Sequence, residues 1–440
     1  MSRKLALAVV LAGVSAVAWA AHDDAIDYPY VPYDHAAIQY PTRSTNDPVA
    51  RLQQKLDSGA VKLDFDAKFG YLPSLLKHLG INIDSQMLVF SKTSFQGPKI
   101  SPKKPRALYF GDDVAVGFVQ GGDVMEFAAS DPTQGVVFYT LEREKTDQPS
   151  FLRRTDQCIA CHLIPGTLNV PGLLATSVIP GPDGSPRFAA AAVIVDSRTP
   201  LDQRWGGWYV TGTAGGLQHR GNAVAPNPDQ PDVLDLRGAG NLTSLAGRLD
   251  TSAYLTSTSD LVALMTLEHQ TRVTDLLTRL GWETRIAIAD GTLKEAHDRL
   301  DFVANELVAY MLFADEAKMH EPMAGVSTFS KTFPERGPRD KQGRSLRDFD
   351  LQTRLFRYPL SYMIYDPAFD ALPEVAKQQV YAKLFDVLTG KDSNPRFARL
   401  SDGNRQAILE ILRETKPDLP GYWRTSESGR AGASNALLQR

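Results

Sequence analysis

Apolar spacing changes once along this chain, and that change limits the fold class more than any other feature. From Ser85 to about Gly212 the apolar residues come in short β-type runs: "MLVF", "ALYF", "VAVGFV", "DVMEFAA", "GVVFYTL", "GLLATSVI", "FAAAAVIV" and "GGWYVTG". Turn signals such as "GDD", "QGG", "DPTQG" and "GPDGSP" separate them, which predicts a mostly antiparallel sheet. Beyond Ser257 the period becomes helical. "SDLVALMTLEHQTRVTDLLTRLG" opens on Ser/Asp capping residues and is expected to stop at Gly281; "TLKEAHDRLDFVANELVAYMLFADEA" follows, with shorter helices near 374–389 and 401–415. The expected fold is therefore α+β. A β-rich domain occupies 21–220, a Pro/Asn/Asp-rich linker or long loop 221–256, an all-helical domain 257–415 and a loosely ordered tail 416–440. There is no internal repeat.

Residues 1–20 read as a secretory signal: Arg3 and Lys4 precede an apolar run from Leu5 to Val17, and Ala18-Trp19-Ala20 supplies the small-x-small cleavage pattern. An uncleaved anchor is the alternative, although the run is short for a membrane span. Its loss would take the net charge from −3 to about −5, which argues against a nucleic-acid binder. No later segment is apolar for long enough to cross a bilayer, so no transmembrane anchor is expected after cleavage, and the expected location is the periplasm.

Both cysteines of the 440 residues, Cys158 and Cys161, lie in "TDQCIACHLIPG", with His162 directly after. A chain of this length can bury full cores and does not need cross-links, so an exported protein with two cysteines three apart is not using a disulfide framework. On a helical turn Cys158, Cys161 and His162 stand at i, i+3 and i+4 and project to one side. That placement lets two thiols reach the two vinyl groups of one porphyrin while the imidazole reaches its iron, and Cys-x-x-Cys-His is the spacing of c-type haem attachment. Three other readings fit this stretch less well. A thioredoxin-like dithiol wants a helix N-terminus after a core strand in a βαβ setting. Structural zinc lacks a second cysteine pair. A disulfide between Cys158 and Cys161 would be strained and close a trivial loop.

"CIACH" resembles the attachment signature of c-type cytochromes. That resemblance implies one covalently bound haem c, with Cys158 and Cys161 as thioether residues and His162 as proximal iron ligand. The wider chain, including "RWGGWYVTGTAGG", "LEHQTR" and "RLFRYPLSYMIY", is similar to large exported mono-haem cytochromes of bacteria. Attachment within a sheet is also loosely similar to c-haem sensor domains of PAS type.

The sixth iron position decides between electron transfer and catalysis. His269 sits in an apolar stripe formed by Val262, Met265, Val273, Leu276 and Leu280, where an imidazole is either a hydrogen-bonded core residue or a haem contact. His219, in the glycine-rich "GTAGGLQHRGN", is the other candidate distal ligand or pocket residue. Met319, His320 and Met323 in "KMHEPM", and Met363 in "YPLSYMIY", are weaker candidates that read first as core residues. "KISPKKPR", 99–106, is a basic turn suited to solvent, an acidic partner or a haem propionate. The expected function is one-electron transfer with a redox partner protein or a small donor or acceptor. The rivals are a peroxidase- or oxidase-type haem enzyme, for which the chain's length speaks, and a haem-based redox or gas sensor subunit.

Overall fold

The computed structural model describes residues 28–187 and 192–424. The signal segment 1–20, residues 425–440 of the tail and positions 188–191 of the "FAAAAVIV" run lie outside the described residues.

The N-terminal half forms the expected antiparallel sheet. Its strands are β1 (Met87–Val89), β2 (Arg106–Phe110), β3 (Val114–Phe118), β4 (Val124–Asp131), β5 (Gly135–Glu142) and β6 (Leu152–Arg153), with β9 (Trp208–Tyr209) returning to pair with β1. The order is β6-β5-β4-β3-β2-β1-β9, so every neighbour but β9 is consecutive in sequence. Between β6 and β9 the chain makes a separate hairpin, β7 (Ala175–Ser177) with β8 (Val193–Val195). Two further short strands, β10 (Gly212–Thr213) and β11 (Ala324–Gly325), join the two halves.

Because side chains alternate along a strand, the sheet has two different faces. Tyr109, Val116, Phe127 and Tyr139 point into one core, shared with helices α1 (Pro48–Asp57) and α2 (Leu72–His78). Asp47 caps α1 by accepting from the Val49 and Ala50 N–H groups, and Tyr139 Oη donates to the same carboxylate at 2.6 Å. The opposite face carries cross-strand rows Phe110–Ala115–Ala128–Phe138 and Leu108–Gly117–Glu126–Thr140–Leu152.

In the second half, α4 (Leu261–Ala289) is followed by α5 (His297–Met311), α6 (Phe329–Glu335), α7 (Pro367–Asp370), α8 (Glu374–Leu388) and α9 (Asp402–Thr415), while α3 (Ile159–His162) belongs to the first half. Asp260 caps α4, accepting from Val262 and Ala263 through Oδ1 and from Val326 and Ser327 through Oδ2. Gly281 does not end α4 as its sequence suggests. A mid-helix glycine costs about 1 kcal/mol against alanine, less than the burial that follows it, since Trp282 is fully buried and donates to the Thr133 carbonyl. The two halves share α4: its Val262, Met265 and Leu276 lie in the helical core with Met87 and Phe110 of the sheet, whereas Trp282 lies in the core of the other face.

Two segments are more tightly held than their composition suggests. Within 221–256, Leu245, Leu249 and Tyr254 are buried and Tyr254 Oη donates to the Pro105 carbonyl, so this is a packed loop over the sheet. Residues 416–424, expected to be loose, are anchored by Trp423, whose ring packs on Tyr381 and Phe385 at centroid distances of 6.0 and 5.1 Å.

After α5, Glu316 is buried and accepts from the Leu355 N–H at 3.0 Å; burial pushes its carboxyl up to about 7. The folded chain therefore binds a proton that the unfolded chain has already released, and stability contributed at low pH is lost as pH rises through that value. Glu316→Gln is expected to flatten this slope and to exceed the parent by about 2–3 kcal/mol at pH 8, with no gain near pH 4, in urea unfolding at both pH values.

Candidate functional site

The Cys-x-x-Cys-His stretch folds into one short helical turn. Cys161 N and His162 N donate to the Cys158 carbonyl at 3.1 and 3.0 Å, and Leu163 N donates to Ile159 O at 3.0 Å. Both thiols are unpaired, Cys158 half-buried and Cys161 exposed. Pro165 opens the next turn, and Leu168 and Asn169 take left-handed backbone angles that reverse the chain. This reversal brings Gly172 back to the turn. Gly172 N donates to the His162 carbonyl at 2.9 Å, and His162 Nδ1 lies 2.9 Å from the Gly172 carbonyl.

That second contact fixes the imidazole. A carbonyl can only accept, so Nδ1 carries the proton and Nε2 keeps its lone pair. Nε2 has no hydrogen-bond partner among the described residues. Burial holds the His162 ring down at about 4, with the Gly172 carbonyl pulling weakly the other way, so the ring is neutral at physiological pH. The ring packs on Phe138 of β5, centroids 4.7 Å apart at 38°. Phe138 belongs to the sheet face whose middle positions, Ala115 and Ala128, remain partly open to solvent although their strands are interior. A neutral imidazole thus stands beside a sheet face whose middle positions Ala115, Gly117 and Ala128 are small, next to two free thiols.

Two elements, β8 and helix α4, enclose the turn from behind. Gly166 lies so close to Ile194 of β8 that a Cβ there would overlap it. Arg272 of α4 reaches the Gly166 carbonyl at 3.4 Å and Asp196 after β8 at 3.9 Å. Asp275, one turn further along α4, is buried against Gly172. The Arg106–Glu126 ion pair, 2.9 Å, acts electrostatically on His162, and Glu126 helps to push the Cys158 thiol up to about 11, although burial is the larger cause.

The two candidate distal histidines lie elsewhere. His269 is fully buried, its Nε2 2.8 Å from Ser361 Oγ and its ring stacked on Phe313 and Tyr310 at 4.2 and 5.3 Å. Its Nδ1 has no hydrogen-bond partner among the described residues. His219 is buried edge-on to Trp205 at 5.1 Å and accepts from the Gly221 N–H. Desolvation lowers His269 to about 3 and His219 to about 4. Neither touches Phe138 or Gly172. Met319, Met323 and Met363 are buried in the helical core, and His320 is exposed. The basic turn is engaged by its own chain: Lys99 pairs with Asp123, Lys103 Nζ donates to Arg248 O, and Arg106 pairs with Glu126.

Several residues of this region carry no local sequence signal. Phe138, Gly172 and Asp275 reach the turn only through tertiary folding. The nearest signal is the polarity of α4 itself, where Glu268, His269, Gln270, Thr274, Asp275 and Thr278 are all buried beside the apolar stripe. Among the described residues no group of three or more His, Cys, Asp or Glu side chains could hold a metal ion. A haem iron brings four donors of its own and asks the chain for one or two. No helix of the described residues is long and apolar enough to cross a membrane. No family model, no curated protein and no solved structure matches this chain.

Proposed function

We propose that the chain is an exported mono-haem c-type cytochrome acting in one-electron transfer, with one haem c bonded to Cys158 and Cys161 and its iron held by His162. The observation that carries this reading is the His162 imidazole itself: Nδ1–H is committed to the Gly172 carbonyl, and Nε2 is left as an unprotonated donor on the same helical turn as two unpaired thiols. A carbonyl behind a ligating imidazole fixes its tautomer and raises its basicity, the arrangement expected of a metal-binding histidine. The partly open face at Ala115 and Ala128 suits a flat apolar group, and bound haem would supply a reversible one-electron couple there.

The rival dithiol reading fares less well. A redox-active cysteine needs a depressed pKa, usually at the N-terminus of a substantial helix, whereas the Cys158 thiol is raised and α3 has four residues.

A second reading, a haem enzyme or gas-binding protein with an open sixth position, is favoured by one observation: among the described residues neither His219 nor His269 is hydrogen-bonded to or ring-packed on His162 or Phe138. The physiological partner would be a redox protein or small electron donor in the periplasm.

The deciding experiment is export of the full chain in a cell competent for haem attachment. The expected result is a c-type spectrum on dithionite reduction, with haem remaining on the denatured chain. Free thiols at both cysteines by mass spectrometry would end the proposal. Low-spin spectra unaffected by CO and cyanide identify a carrier whose sixth position is filled by the protein; ready CO binding identifies an open site.

A further inference from the structure

The Nδ1–H bond on one edge of the His162 ring governs how much electron density reaches Nε2 on the other. Its acceptor, the Gly172 carbonyl, is one end of the peptide group joining Gly172 to Leu173. The N–H at the other end of that group lies close enough to the Asp275 carboxyl to favour its charged form. The approach is tight: a Cβ on Gly172 would overlap Asp275 Oδ1 and would stand 3.1 Å from Thr167 Cβ, so glycine is required there for space. Asp275 is only 2% exposed, and its Oδ1 accepts no hydrogen bond among the described residues. A buried carboxyl with an unused oxygen against the backbone is costly, and this one lies against the peptide behind the imidazole.

We propose that Asp275 is a positioning residue for His162: its carboxyl holds and polarises the Gly172–Leu173 peptide group and thereby sets how strongly the Gly172 carbonyl accepts from the imidazole. The inference rests on the reading of His162 as iron ligand. Negative charge at the N–H end of a peptide group drives electron density to its oxygen, and hydrogen bonds in such a chain strengthen one another. A stronger acceptor makes the imidazole a better donor and favours ferric over ferrous iron. Arg272, one turn earlier on α4, is the charged group acting on Asp275 and is itself 3.9 Å from Asp196. The packed loop 163–173 contributes no titratable side chain. Burial opposes the Asp275 charge, while Arg272 and the Leu173 N–H favour it.

The test compares the haem-loaded parent with Asp275→Asn. Haem content of the denatured parent is measured first; a parent without bound haem overturns the ligand assignment and this inference with it. With haem present, reduction potentials are measured from about pH 5 to pH 9. The parent potential is expected to fall as pH rises and the carboxyl ionises. The variant is expected to follow only the groups that both proteins share, ending above the parent by about a tenfold change in the one-electron equilibrium, about 59 mV. Superimposable curves overturn the role of Asp275 and leave haem attachment standing. Should the variant not load haem, the parent alone decides: its His162 Nδ1–H proton resonance is expected to move across the same pH range, and a constant resonance overturns the inference.

Discussion

A chain with alanine at both Cys158 and Cys161 is expected to fold as the parent does and to give up all its haem when denatured. Neither thiol belongs to a core, one being half-buried and the other exposed, and the hydrogen bonds that make their turn helical run between backbone groups. Alanine suits a helical turn, so the haem-free fold should change by no more than about 0.5 kcal/mol, read as an unchanged urea midpoint. In acid–acetone extraction the parent should keep its haem in the protein pellet, while the double variant should release it to the solvent. Each single variant retains one thioether and should keep haem, with the reduced absorption band moved to longer wavelength because one vinyl group stays unsaturated. Since the chain has no other cysteine, haem retained by the double variant would overturn attachment through thioether bonds.

The expected contrast between a nearly neutral effect on folding and a complete effect on the cofactor follows from how local the proposed attachment is. Cys158, Cys161 and His162 belong to one turn, so their spacing alone placed them on one side of it. The strand runs of the first half were legible for a similar reason, since each pairs mainly with its sequence neighbour and alternates side chains between two faces. What surrounds the turn was not legible, because Phe138 of β5, Ile194 of β8, and Arg272 and Asp275 of α4 approach it from three separate elements, and no local pattern records such a meeting. The misread end at Gly281 has the same origin. Local propensity there favours a stop, and a distant partner, the Thr133 carbonyl that receives the Trp282 N–H, overrules it. Trp423 likewise sits in a stretch of tail-like composition whose packing on Tyr381 and Phe385 could not be inferred from its neighbours.

The largest loss of stability is expected not at the haem turn but beside the His269 position, where α4 carries an ion pair away from water. Glu268 is fully buried; its Oε2 meets Arg204 at 3.0 Å and its Oε1 accepts from the Trp205 indole at 2.5 Å. Burial pushes the Glu268 carboxyl up, against Arg204 and Trp205, which hold the charged form. Arg204 is nearly as enclosed and also donates to the Thr199 and Ser197 carbonyls at 2.7 and 2.9 Å. Arg204→Ala would therefore strand a buried carboxylate and take the Arg204 donors from the Thr199 and Ser197 carbonyls, of which Ser197 keeps the Ala317 N–H. Breaking a buried pair in this way costs about 3–5 kcal/mol, because the remaining carboxylate has lost its counter-charge and keeps only the Trp205 indole as a donor. Both cores should weaken together, since α4 contributes to each, and urea unfolding followed by tryptophan fluorescence and by circular dichroism should give one coincident, lowered midpoint. Replacing both partners, Arg204→Met with Glu268→Leu, removes the stranded charge and should recover more than half of the loss, the non-additivity expected of groups in direct contact. A single variant as stable as the parent, or a double variant weaker than Arg204→Ala, would mean that this pair does not hold α4 against the loop that carries Trp205.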